Sequence, residues 1–235
     1  MREQFRQFSV CIPAGGSGVR MGTSTPKQYL PLAGIPVIAR TVLLFSSMPE
    51  CDQIVVAADD PDKLSAVLHD HAHGERVTIV RGGVVRQDSV AAAVSACSTQ
   101  AEIILIHDAA RPLVALRQVR AVVDAIYKFG AALLALPAHD TVKRVSTDAR
   151  VLETLDRRSV WLAQTPQGAR ADLLRGAVNR GLDDRYVCTD DAELLERAGV
   201  PLVVVEGSTR NMKLTTPEDF LLAEALLLAD ARSNP

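Results

Sequence analysis

A chain of 235 residues with 48% hydrophobic residues, 23% charged residues and a net charge of −2 has the make-up of one large α/β domain, residues 1–235. The near-neutral balance argues against nucleic acid as a partner, and the longest apolar run near the C-terminus, residues 220–228, carries Glu224 and is too short to span a membrane. The polar residues 1–7 lack the apolar core of a signal peptide, and the four cysteines are scattered without a Cys-x-x-Cys pair, so a reduced, cytoplasmic setting is expected.

Residues 8–12 form an apolar run that reads as a buried first strand. It leads straight into Pro13-Ala14-Gly15-Gly16-Ser17-Gly18-Val19-Arg20-Met21-Gly22, and Pro26-Lys27-Gln28-Tyr29 comes soon after. The glycines let the backbone reach positive φ and approach a ligand closely. Such a loop turns several N–H groups toward one anion, and Arg20 and Lys27 add two positive charges, so a polyphosphate is the expected ligand. A Walker loop is excluded, because no Gly-Lys-Ser or Gly-Lys-Thr closes it. The dinucleotide fingerprint fails by one place, since its third glycine position falls on Met21. The pattern is similar instead to that of sugar-nucleotide-type nucleotidyltransferases, in which a glycine loop, an arginine and a lysine wrap a nucleoside triphosphate.

Pro36 can open a helix that Val37 to Phe45 continue at helical spacing. Residues 54–58 read as a strand covered on both faces, 61–68 as a helix, 77–80 as a short strand, 86–97 as a helix and 102–106 as another buried strand. Residues 116–129 are helical and 131–136 strand-like. This alternation predicts a mostly parallel sheet with helices on both faces and a ligand beyond the carboxyl ends of the strands. The rhythm breaks at residues 138–158. Two short alternating runs, 141–145 and 150–154, flank Ser146-Thr147-Asp148-Ala149 and predict a protruding β-hairpin too small to stand alone in water. Such an arm needs a surface to rest on, and a partner subunit would supply one. Residues 169–180 then read as a helix and 202–205 as a strand. Asp190 with Glu193, and Thr216-Pro217-Glu218-Asp219, mark two further helix starts.

Three constellations lie at predicted strand ends. His107-Asp108-Ala109-Ala110-Arg111-Pro112 places a carboxylate where a buried strand runs out; Asp108 reads as a Mg²⁺ ligand, or as a turn cap or partner of Arg111. His107 reads as a packing or hydrogen-bonding residue. Gly82-Gly83-Val84-Val85-Arg86-Gln87-Asp88-Ser89 repeats the theme of glycine pair and helix start, and Ser89 suits either a base or ribose contact or a cap. Lys213, past a late strand, is a candidate third cation for phosphate. His69-Asp70-His71-Ala72-His73 is rich in ligand types, but no further His or Cys completes a site of known spacing, so no metal is expected there.

Taken together these segments resemble the 2-C-methyl-D-erythritol 4-phosphate cytidylyltransferases, over nearly the whole chain. The resemblance extends to Asp140-Thr141-Val142-Lys143, Asp156-Arg157, Gln164-Thr165-Pro166-Gln167, Thr189-Asp190-Asp191 and Asn211-Met212-Lys213, with one departure at Gly15, where the family more often has alanine. It implies a Rossmann-like nucleotidyltransferase fold with the protruding arm, and transfer of CMP from CTP to methylerythritol phosphate with Mg²⁺. It further implies that Ala14, Gly15, Gly16, Gly18, Gly83 and Ser89 hold the nucleotide, that Arg20, Lys27 and Lys213 surround the α-phosphate, and that Asp108 helps place the metal. Thr141, Arg157 and Thr165 would contact the polyol phosphate, with Arg111 and Thr189 near the same pocket, and the arm of one subunit would complete the other's site, so that Arg157 acts across a homodimer. The alternatives are a ribitol 5-phosphate cytidylyltransferase and a nucleotide-binding module without catalysis.

Overall fold

The computed structural model describes residues 6–15, 25–72 and 74–233, so Gly16, Gly18, Arg20 and His73 lie outside the described residues. In chain order the elements are β1 (Phe8–Pro13), β2 (Pro31–Leu32), β3 (Ile35–Pro36), α1 (Val37–Ser46), β4 (Cys51–Ala58), α2 (Pro61–His71), β5 (Val77–Arg81), α3 (Arg86–Ala96), β6 (Ile103–Ile106), α4 (Leu116–Phe129), β7 (Ala131–Pro137), β8 (Lys143–Val145), β9 (Val151–Thr154), β10 (Trp161–Arg170), α5 (Ala171–Asp183), α6 (Asp191–Arg197), β11 (Val203–Glu206) and α7 (Pro217–Ser233).

The central sheet has the order β11-β7-β10-β6-β1-β4-β5. All neighbours in it are parallel except β10, which runs antiparallel between β6 and β7. Strand alternation sorts the core into two layers. Val10, Ile12, Ile54, Val56 and Leu105 meet Ile38, Val42 and Phe45 of α1, Leu64 of α2 and Val122 and Ile126 of α4. Their neighbours Cys11, Val55, Ala57, Ile104 and Ile106 point the other way, onto Val90 and Val94 of α3, Leu174 and Val178 of α5 and Leu194 of α6. Apolar runs without alternation are what a sheet covered on both faces requires, and this is why the strands were legible.

The expected helix over 169–180 begins later. Ala169 and Arg170 end β10, and α5 starts at Ala171. Strand β10 escapes sequence reading because its middle, Gln164-Thr165-Pro166-Gln167-Gly168, is written in turn residues. A proline in a central strand is tolerated only where pairing is interrupted, and the ladder with β7 does shift register between Ala163 and Gln167. Gly168 is forced by this position: a Cβ there would lie 2.4 Å from Ile104 O of the next strand. Strands β8 and β9 pair antiparallel as the expected arm and are exposed throughout, with Ala149 in the turn at φ 63°. Among the described residues no helix is long and apolar enough to cross a membrane.

Candidate active site

The carboxyl ends of β1, β4, β5 and β6 open on one edge of the sheet, the antiparallel register of β10 on β6 places Thr165 beside them, and Lys213 of the segment after β11 reaches the same edge. Ala14 follows β1, where its N–H bonds Ala57 O at 2.7 Å and its carbonyl accepts the Gln28 amide at 2.8 Å. That second bond fixes the Pro26–Tyr29 turn to the start of the glycine loop. A Cβ on Gly15 would lie 2.8 Å from Asp59 Oδ1 and 3.7 Å from Ser89 Oγ, so the first and second glycine loops face each other. Ser89 is buried, and its Oγ accepts the Gly83 N–H at 3.1 Å. Gly83 is obligate, because a Cβ would sit 2.1 Å from the Asp88 Cβ.

Asp108 is the electrostatic centre. It is only 7% exposed, yet three cations reach it: Lys213 Nζ at 3.0 Å and Arg111 Nε at 3.4 Å on Oδ2, and Arg86 at 3.2 Å on Oδ1. Burial alone would raise its pKa, but Lys213, Arg86 and Arg111 outweigh burial and hold the carboxyl well below the usual range. The Arg111 guanidinium also donates to Asn211 O at 2.6 Å, and Lys27 donates to Leu214 O at 2.9 Å. Lys27, Arg111 and Lys213 thus gather where the chain passes after β11.

His107, fully buried, stacks edge-on against Phe45 with ring centroids 5.1 Å apart. Its Nε2 lies 3.0 Å from Arg111 O, which can only accept, so Nε2 carries the proton. Its Nδ1 then accepts from Thr165 Oγ1 at 3.1 Å, and Thr165 Oγ1 in turn accepts the Asp108 N–H at 3.0 Å. Burial pushes the His107 pKa down to about 4, so the ring is neutral near pH 7 and no base for catalysis. Packing and hydrogen bonding are its part, as the sequence suggested.

The remaining sequence candidates lie farther out. Thr189 is exposed and bonds Glu193 Oε2 through its N–H at 2.7 Å and its hydroxyl at 2.9 Å. Thr141 and Arg157 are exposed in the arm, where the Arg157 guanidinium donates to His139 O. Among the described residues no hydrogen bond or ion pair joins either of them to the Asp108 cluster of the same chain. Four residues without an assigned role from sequence prove central to the geometry: Gln28, Arg86, Gln167 and Asp191. Arg86 forks onto Asp191 at 2.8 and 2.6 Å besides touching Asp108, and Gln167 joins Asp190 at 3.0 Å and the Ala192 N–H at 2.7 Å. Arg86 and Asp191 stand at helix starts, Gln28 in a turn and Gln167 in an unread strand, where a capping or loop role suffices, so the only available signal was the charge of Arg86 and Asp191 beside the strand ends.

Among the described residues no group of three or more His, Cys, Asp or Glu could hold a metal ion. A single carboxylate at the carboxyl edge of the sheet nevertheless suits Mg²⁺, which on nucleotides takes one or two protein carboxylates and fills its shell with phosphate oxygens and water.

The model of a protein family described as "IspD: 2-C-methyl-D-erythritol 4-phosphate cytidylyltransferase" matches residues 8–229. A protein of that name from Symbiobacterium thermophilum is 48% identical over 225 residues, covering 95% of this chain and 94% of its own. One from Syntrophus aciditrophicus is 43% identical, covering 92% and 94%. Among solved structures, the 2-C-methyl-D-erythritol 4-phosphate cytidylyltransferase of Francisella tularensis is similar with a TM-score of 0.81 and 32% identity, covering 93% of this chain and 99% of its own. The 4-diphosphocytidyl-2C-methyl-D-erythritol synthase of Anaerococcus prevotii is similar with a TM-score of 0.83 and 29% identity, covering 95% and 96%.

Proposed function

From the premise that the chain belongs to the 2-C-methyl-D-erythritol 4-phosphate cytidylyltransferase family, we propose that its reaction runs at the Asp108 edge of the sheet. The enzyme is a CTP-dependent cytidylyltransferase of the isoprenoid pathway: it transfers CMP from CTP to 2-C-methyl-D-erythritol 4-phosphate, giving 4-diphosphocytidyl-2-C-methyl-D-erythritol and pyrophosphate. An oxygen of the acceptor's phosphate attacks the α-phosphorus, one P–O bond forms, and the bond to the β-phosphate bridge breaks. A monoester phosphate with a second pKa of about 6 is already largely ionised at neutral pH, so no base has to act. The protein's task is to bring two polyanions into line and offset their charge.

Ala14, Gly15, Gly16, Gly18, Gly83 and Ser89 hold the cytidine nucleotide. Arg20, Lys27 and Lys213 face the α-phosphate, where charge builds up in the transition state. Asp108 holds Mg²⁺, which when bound offsets charge on the triphosphate. Arg111, Thr165 and Thr189 border the acceptor pocket on the same chain. Thr141 and Arg157 reach the pocket of a partner subunit, with the arm at residues 138–158 as the homodimer contact and the whole chain as one cytoplasmic domain. Exposed Val145, Val151, Leu152 and Leu162 on and beside the arm support that contact, since apolar groups there gain by being covered.

The observation that carries the site is the meeting of three cations on one buried carboxylate where the two glycine loops converge. Pyrophosphate release from CTP and Mg²⁺, with methylerythritol phosphate and ribitol 5-phosphate offered separately, tests the acceptor. Release with methylerythritol phosphate is expected. Release with ribitol phosphate alone would overturn the acceptor, and silence with both would leave a binding module.

A further inference from the structure

Arg86 opens α3, the helix whose Ser89 and preceding Gly83 face the nucleotide side. Its guanidinium spans two carboxylates that are themselves buried. Asp191, 2% exposed, receives both arms of the fork at 2.8 and 2.6 Å, and Asp108 Oδ1 receives a third contact at 3.2 Å. Asp191 opens α6, which is bound to β10 through Gln167, two residues from Thr165. Three segments far apart in sequence therefore meet on one planar group: the helix of the nucleotide side, the end of β6 and the helix of the acceptor side.

We infer that Arg86 is a positioning residue for CMP transfer, pinning Asp108 Oδ1 from a platform anchored on Asp191 so that Oδ2 stays turned toward Lys213 and keeps that cation in place. This rests on the transfer reaction proposed above. Among the described residues Arg86 is the only cation in ion-pair distance of Asp191, so it has no substitute there. A guanidinium can do this because its donors are fixed in a plane and serve two acceptors at once. An ammonium group keeps the charge but offers one point, so it can hold Asp191 or Asp108 but not both in register. Arg111 and Lys213 differ from Arg86 in approaching the other carboxylate oxygen, Arg111 from the same loop as Asp108 and Lys213 from the segment after β11.

The test compares Arg86→Lys, Asp191→Asn and the double variant with wild type by steady-state pyrophosphate release and by thermal unfolding. Arg86→Lys is expected to fold and to lose at least about tenfold in kcat with the KM for CTP changed less than about threefold, the mark of a group acting on the transition state. Asp191→Asn, which loosens the platform, is expected to move kcat in the same direction, and the double variant to be no worse than Arg86→Lys alone, because the two act as one unit. A folded Arg86→Lys with wild-type kcat and only a lowered unfolding temperature would overturn the inference in favour of scaffolding. Wild-type kcat with a raised KM for CTP would overturn it in favour of plain binding. If Arg86→Lys does not fold, Asp191→Asn decides by the same split. Lack of pyrophosphate release from unmodified protein would sink the transfer reaction itself, a separate result read in the same assay.

Discussion

Replacing Thr165 by valine removes one oxygen and leaves two orphans. Thr165 is 4% exposed, and its hydroxyl accepts the Asp108 N–H at 3.0 Å while donating to His107 Nδ1 at 3.1 Å. Valine keeps the branched shape but can serve neither group. Each buried polar group left unpaired costs about 1–3 kcal/mol, and burial of the extra methyl returns about 1 kcal/mol, so a net loss of about 1–5 kcal/mol is expected, centred near ~3 kcal/mol. With a urea slope of about 3 kcal/mol/M for a chain of this size, the midpoint should fall by about 1 M. Asp108 also loses the bond that fixes its backbone, so kcat for pyrophosphate release should fall about tenfold or more in protein shown to be folded. Thr165→Ser keeps the oxygen and should recover most of both losses. A valine variant that unfolds at the wild-type midpoint, or a serine variant as weak as the valine one, would refute the argument that this hydroxyl ties His107 to Asp108.

Lys27→Ala should lower kcat about a hundredfold while changing the KM for CTP only a few fold, and steady-state kinetics showing unchanged kcat with a raised KM would make Lys27 a binding residue only. Gly83→Ala puts a Cβ 2.1 Å from the Asp88 Cβ, so the loop or the start of α3 must shift. CTP titration by calorimetry should show affinity reduced about tenfold, with about 1–3 kcal/mol lost in urea unfolding. His107 sets a pH window. Its pKa is about 4 folded against an ordinary 6.5, so between these values the unfolded chain binds a proton that the folded one refuses. Stability therefore falls as pH drops from 6.5 towards 4, by up to about 3 kcal/mol, whereas the depressed pKa of Asp108 acts only lower, at and below its ordinary 3.8. Urea titrations at several pH values should show this slope flattened in His107→Asn, and an unchanged slope would count against a buried neutral ring.

The alternation of helix and strand was legible because the strands under both helical layers carry unbroken apolar runs, as Val10, Cys11 and Ile12 show. Asp108 stood out as a charge just past an apolar strand that could be a metal ligand or a turn cap, whereas Lys213, farther along the segment after β11, reads from the residues alone as readily as a surface lysine. Strand β10 was not, because Pro166 and its polar neighbours become a strand only through pairing with β6 and β7, and tertiary pairing leaves no local pattern. Arg86 and Asp191 form their ion pair across 105 residues, and each alone resembles an ordinary residue at a helix start. Thr141 and Arg157 carry their meaning from family resemblance, because among the described residues no hydrogen bond or ion pair joins them to the Asp108 cluster of their own chain, and Arg157 bonds His139 O instead. Arg20, placed by the same resemblance, lies outside the described residues.

The transfer proposed at Asp108 requires its cations to meet the phosphates of CTP, and Lys213 tests this most directly. Its Nζ, 3.0 Å from Asp108 Oδ2, is the cation nearest that carboxylate oxygen. Single-turnover transfer from radiolabelled CTP, measured for Lys213→Met beside direct CTP binding, separates the chemical step from affinity. A transfer rate lowered about a hundredfold with CTP affinity within a few fold of wild type is the predicted result. Transfer at the wild-type rate once CTP is saturating would contradict it, and would place the chemistry away from Asp108.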